Sequence, residues 1–196
     1  MNPALILAVI VVVVAVYVIG VYNDLATLKT RIKASIQEIG NQLKRQSELI
    51  PNLEESAKGY LKHEKDLFKM LTDARKSVQS ALASGDLGQL SNAAAKVADM
   101  LPKIQVVVES NPDIKGSEVV TKLMDELRDT SDKVMYARRT VIDLSADYNV
   151  KLVTFPSNIV ANMFSFQPEK GLDTPTSGSH IEVSSAETQS HRVKLS

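Results

Sequence analysis

Residues 4–22 pass nineteen positions without a charged side chain. As a helix at ~1.5 Å per residue this run is about 28 Å long, close to the ~30 Å hydrocarbon core of a bilayer. It is Val-rich and apolar on every face, so it needs either lipid or a large domain around it, and the rest of the 196-residue chain is too short to wrap it. A cleavable signal sequence would start with cations, carry ~7–15 apolar residues and end in small residues at the cut. Met1-Asn2-Pro3 brings no Lys or Arg, and Val21-Tyr22-Asn23-Asp24 offers no small-x-small site. The run predicts a retained single-span anchor over residues 1–22.

Flanking cations set the expected orientation. None precedes the span, whereas Lys29, Arg31 and Lys33 follow it closely. Lys and Arg count within ~15–20 residues of a span, and they favour the cytoplasmic side. The N-terminus is therefore expected outside and the remainder in the cytoplasm, although Asp24 lies nearest the membrane. The absence of cysteine fits a reducing compartment and equally an exported helical domain. Lys plus Arg equals Asp plus Glu at 23 each, and tryptophan is absent. No net field draws the chain to nucleic acid and no stacking platform awaits a base, so nucleic acid is excluded as a partner.

Downstream of the span the pattern is helical. Leu25, Leu28, Ile32, Ile36, Ile39 and Leu43, then Ile50, Leu53, Ala57 and Tyr60, fall in steps that keep them on one face. Leu25/Ile36, Leu28/Ile39 and Ile32/Leu43 repeat at eleven residues, ~3.67 per turn, which favours a nearly straight helix over a left-handed coiled coil. No Gly/Pro/Ser cluster separates this helix from the anchor, so the two are expected to form one rigid stalk. Pro51 is the interruption, as either a kink or a tight corner. The corner is preferred, because two helices of similar length would then pair.

A further helix is expected from Leu53 to Leu82, closed by Ser84-Gly85-Asp86 with Gly85 as a left-handed cap. Another runs from about Leu87 to Ser110, bent at Pro102. After the turn around Asn111-Pro112-Asp113, Ser117 is placed to cap a rod of almost forty residues that stops before Pro156. Short loops between sequential helices make them antiparallel neighbours. The fold class is therefore all-α: an N-terminal transmembrane helix and an antiparallel up-and-down bundle of three to four long helices. Residues 156–166 read as a short amphipathic helix that either closes the bundle or lies on the bilayer; lacking a basic face, it is expected to pack. From Gln167 to Ser196 the composition turns to Ser, Thr, Gly and Pro, giving an expected division into anchor (1–22), bundle (23–166) and disordered tail (167–196).

Sites for chemistry are scarce. His63-Glu64 lacks the second His four residues on that a helix-borne zinc site requires, since Leu67 stands there. There is no Cys nucleophile, no nucleophile elbow and no phosphate loop. Glu64, Arg75, Glu126 and Arg138 read as surface pairs, and Asp147-Tyr148-Asn149, unusual within a helix, as a local hydrogen-bonding element. No metal, cofactor or small-molecule substrate is expected.

Several words in this chain do recur together elsewhere. Leu43-Lys44-Arg45, Glu48-Leu49-Ile50-Pro51-Asn52-Leu53, Lys58-Gly59-Tyr60, His63-Glu64 and Ala74-Arg75 resemble the signature stretch of the bacterial LemA family. Tyr22-Asn23, Pro112-Asp113, Ala137-Arg138-Arg139, Asp147-Tyr148-Asn149 and Phe155-Pro156-Ser157-Asn158 are similar to it in the same order, over residues 4–166. The chain departs at Gln46, where the basic run usually continues, at Asn111 and at Val141-Ile142. The resemblance implies an anchored helical bundle at the bacterial inner membrane, and no established catalytic activity. It marks Pro51, Asn52, Gly59, Tyr60, His63, Glu64, Arg75, Arg138, Asn149, Pro156 and Asn158 as family positions with structural or interaction roles.

The expected function is that of a membrane-anchored, non-catalytic scaffold or interaction protein. Its partners are the lipid bilayer and other proteins or further copies of itself. The rival readings are an enzyme, or enzyme accessory, that assembles Asn52, Tyr60, His63, Glu64, Arg75, Arg138 and Asn149 between helices, and an exported factor facing the envelope.

Overall fold

A computed structural model describes residues 2–58, 65–112 and 117–172. Among the described residues the fold has five helices of more than one turn, α1 (Pro3–Ala57), α2 (Lys65–Ser84), α3 (Leu87–Ser110), α4 (Glu118–Val153) and α5 (Ser157–Met163), and no strand. Local chemistry sets the ends. The Asn2 side chain accepts from the Ala4 amide ahead of Pro3, and Asp86 and Ser117 cap α3 and α4 through the amides of Gln89 and Val120. Gly85 sits at φ +64°, the left-handed value expected of it after α2.

Helix α1 is one uninterrupted element of 55 residues that runs from the apolar segment through Pro51 to Ala57. The corner expected at Pro51 is therefore wrong, and Leu53 and Ala57 belong to α1 rather than to the helix after it. An interior proline costs about 3 kcal/mol. Ile50 and Leu53 on either side are fully enclosed, and burying such side chains returns roughly 1.5–3 kcal/mol each, enough to carry the helix across. Pro102 likewise lies inside a continuous α3.

The helices alternate in direction. Asp24 pairs with Lys151 at 2.6 Å and Arg45 with Glu126 at 3.4 Å, so residue numbers fall along α4 as they rise along α1. Gln105 of α3 accepts from Arg128 of α4 at 2.9 Å, and Arg75 of α2 meets Glu54 of α1 at 3.7 Å.

The core is divided in two. From Ile39 onward α1 packs with α2, α3 and the first two-thirds of α4 as a four-helix body. From Leu25 to Ile32, among the described residues, it packs with α4, α5 and the chain after α5, around a small core of Leu25, Leu28, Ile32, Leu144, Tyr148, Leu152 and Ala161, and Ile36 touches both cores. This stalk spans Tyr22 to Ile39, or about 25 Å at ~1.5 Å per residue. Above it, an 18-residue window of α1 has mean hydropathy 3.2 and is 0% buried, long and apolar enough to cross a membrane.

Helix α5 packs as expected, with Ala161 in the stalk core and Val160 buried beside it in the chain. The expected tail behaves differently at its start. Residues 167–172 run back along the stalk, and the remainder of that expectation (173–196) lies outside the described residues.

Candidate functional site

The stalk is where side chains converge. Two antiparallel helices enclose little apolar surface, so a third side is needed, and the chain after α5 supplies it. At the end of α5 the Phe166 amide bonds the Ala161 carbonyl at 3.0 Å and the Ser165 amide the Asn162 carbonyl at 3.1 Å, with Ser165 left-handed at φ 55°. This is a Schellman turn made with serine in place of glycine, and it sends the chain back alongside α4. Phe166 then packs on the stalk core and Leu172 on the four-helix core.

Tyr148 and Asn149 hold the returning segment. Tyr148 donates its hydroxyl to the Gln167 carbonyl at 3.0 Å. The Asn149 amide works in both directions, donating to the Glu169 carbonyl at 2.9 Å and accepting from the Glu169 amide at 3.0 Å. A primary amide carries the same donor–acceptor pair as a peptide group, so Asn149 stands in for one rung of a sheet. The Glu169 carboxylate reaches Lys29 of α1 at 3.1 Å, which closes the segment across both helices. Burial pushes the Tyr148 phenol above its usual value; the nearby Lys29 charge opposes that shift and Glu169 adds to it. On the membrane side of this clasp, the Ser157 hydroxyl lies 2.7 and 2.8 Å from the carbonyls of Lys151 and Thr154 and ties α5 to the end of α4, across the cis Phe155–Pro156 bond.

The family positions fall into separate groups. Asn149, Pro156 and Asn158 belong to the clasp and the α4–α5 junction, where Asn158 Oδ1 is enclosed without a hydrogen-bond partner. Pro51 and Asn52 lie on α1 in the four-helix body, with Asn52 exposed and Arg75 pairing with the mostly enclosed Glu54. Arg138 stands midway along α4, its Nε buried and unpartnered. Gly59, Tyr60, His63 and Glu64 lie outside the described residues. Pro51 is 22 residues from Lys29 on α1, about 33 Å at ~1.5 Å per residue, so Asn52 and Asn149 cannot share one site. No group of three or more His, Cys, Asp or Glu is arranged to hold a metal ion among the described residues.

Two features escaped the sequence. Gln46 is 0% exposed and neither end of its amide has a partner. The apolar ladder skips from Leu43 to Ile50, and Gln46 fills the vacant step; that gap was the available signal. The returning segment 166–172 was hidden by a composition that reads as solvated, and only Phe166, Leu172 and the oddly placed Asn149 hinted at it.

Among curated proteins, none matches the chain. A family model does match, over residues 35–184, and its description is the LemA family. That match starts below Tyr22-Asn23 and continues past Gln167, so it takes in the clasp and leaves out the span. With that match and an architecture of anchor and bundle, the chain belongs to the LemA family.

Proposed function

We propose that this protein is a non-catalytic scaffold of the bacterial inner membrane that presents a four-helix body at a fixed distance, about 25 Å, from the bilayer. The observation that carries this reading is the continuity of α1, a single helix from the apolar segment to the far end of the body. A flexible tether would serve if only local concentration mattered. A helix that passes through the membrane and then forms one wall of the bundle transmits position and angle as well. Lys133–Asp129, Arg128–Asp125 and Arg139–Asp143 are exposed ion pairs along α4, outside the core.

The partner is another protein or a second copy of the chain, reached through the side of the body. Met135 and Tyr136 stand exposed on α4, and Val106 on α3. The body faces the cytoplasm, by the Lys29, Arg31 and Lys33 bias. A photo-crosslinking residue at position 136 in intact membranes is expected to capture discrete oligomers or one recurrent partner, whereas monomer under every condition contradicts the scaffold. Protease digestion of cells against inverted vesicles reads the orientation, and cleavage of the body in intact cells would place it on the envelope side.

A further inference from the structure

The end of α4 and helix α5 leave an apolar surface that the bundle does not use. Val160 is buried and Ala161 belongs to the stalk core, while Phe155 is 75% exposed, Ile159 and Met163 are each 59% exposed, and Phe164 is 47% exposed. Large apolar side chains crowded on a short helix call for a cover.

Its height identifies that cover. Asp24 of α1 pairs with Lys151 of α4, so the chain beyond Val153 rises to the level where the apolar segment ends. Tyr22, within that segment's last turn, meets the Phe164 ring edge-on at 4.8 Å between centroids and the Phe166 ring at 5.5 Å. The exposed face of α5 is thus continuous with the exposed apolar surface of α1, through an aromatic cluster at the depth where aromatic side chains favour the membrane interface. Two anchors to one surface, a spanning helix and a foot beside it, would fix the tilt of the body as well as its height.

We infer that α5 is a membrane foot: Phe155, Ile159, Met163 and Phe164 insert at the boundary between lipid headgroups and acyl chains next to the point where α1 leaves the bilayer. The inference rests on the anchor assigned to α1. The occupant is lipid because the surface is apolar and joins the apolar segment of α1 through the Tyr22 ring contacts, so any protein covering it would have to share the lipid zone around Tyr22.

The chain has no tryptophan, so single replacements report without background. The full chain is placed in phospholipid vesicles carrying bromine either near the headgroup end or near the centre of the acyl chains. Val12→Trp reports the span, Ile159→Trp the foot and Val106→Trp an equally exposed apolar position on the body. The expected result is blue-shifted emission at 159, reduced about twofold or more by shallow bromine, at the ~5–10 Å depth of an interfacial helix. Position 12 is expected to respond to deep bromine and position 106 to neither. If 12 responds and 159 behaves like 106, the foot is overturned and the anchor stands. If 12 does not respond, both fail. Emission at 159 that is shielded, insensitive to bromine and dependent on protein concentration identifies a second copy as the cover and also overturns the inference. Met163→Trp, on the same face, gives the reading should Ile159→Trp not fold.

Discussion

Replacing Asn149 by alanine tests whether the returning segment is a structural part of the stalk. The substitution removes the two hydrogen bonds to the Glu169 backbone and leaves the Tyr148–Gln167 bond and the Lys29–Glu169 pair in place. Each neutral bond contributes a net ~0.5–1.5 kcal/mol, so the loss is about 2 kcal/mol. At ~1.4 kcal/mol per factor of ten, the segment should open about thirty times more often. Because the loss is confined to residues 164–172, the four-helix body should not register it. Hydrogen exchange read by mass spectrometry in nanodiscs resolves the two. Peptides covering 164–172 should exchange about thirtyfold faster, and peptides from α2 and α3 at the wild-type rate. Asn149→Asp keeps the acceptor for the Glu169 amide but loses the donor, and should fall between. Exchange in 164–172 unchanged to within about twofold would refute the reasoning, since a segment indifferent to two bonds of this kind is not held by them.

Other perturbations read other parts of the fold. Gln46→Leu should stabilise the protein by about 1–3 kcal/mol in chemical unfolding, because an enclosed amide without partners is replaced by a side chain of similar volume. A loss of stability would mean that the amide is satisfied in solution. Tyr148 has its phenol pKa raised by burial, so its contribution is complete below the ordinary value of 10.0 and is lost as pH climbs through the raised folded value. As pH rises above 10.0, wild type should therefore lose more stability than Tyr148→Phe, and parallel profiles would contradict the assignment. Arg75→Ala leaves the Glu54 carboxylate, with a side chain only 14% exposed, unopposed and should cost about 1–2 kcal/mol. Adding Glu54→Gln should recover part of that cost in a double-mutant cycle.

What could be read from the sequence follows the range of the physics involved. The span, the caps at Gly85 and Ser117 and the bounds of α3 are local statements, and local propensity decides them. The eleven-residue ladder correctly joined Leu25 to Leu43. Pro51 was misjudged because its local penalty is certain and visible, while the burial of Ile50 and Leu53 that outweighs it depends on helices distant in sequence. The division into a four-helix body and a thin stalk was not legible, since the pattern along α1 is equally apolar in both. The same holds for the clasp: Asn149 stood out as unsuited to a helix interior, but its partner lies twenty residues away in a stretch with no periodicity. The rival grouping of Asn52 with Asn149 does not form, because Asn149 sits by the Lys29 level of α1 and Asn52 near the far end of that helix.

The central claim is that span and body are joined by one unbroken helix, and a distance measures it. The chain contains no cysteine, so spin labels at Val14 in the apolar segment and Lys44 in the body attach without competition. Thirty residues of continuous helix separate them, about 45 Å at ~1.5 Å per residue. Double electron–electron resonance in nanodiscs should give a single narrow distribution centred near that length. A broad distribution with much of its population below about 35 Å, too short for an intact helix of this rise, would show a hinge at the membrane exit and contradict the account.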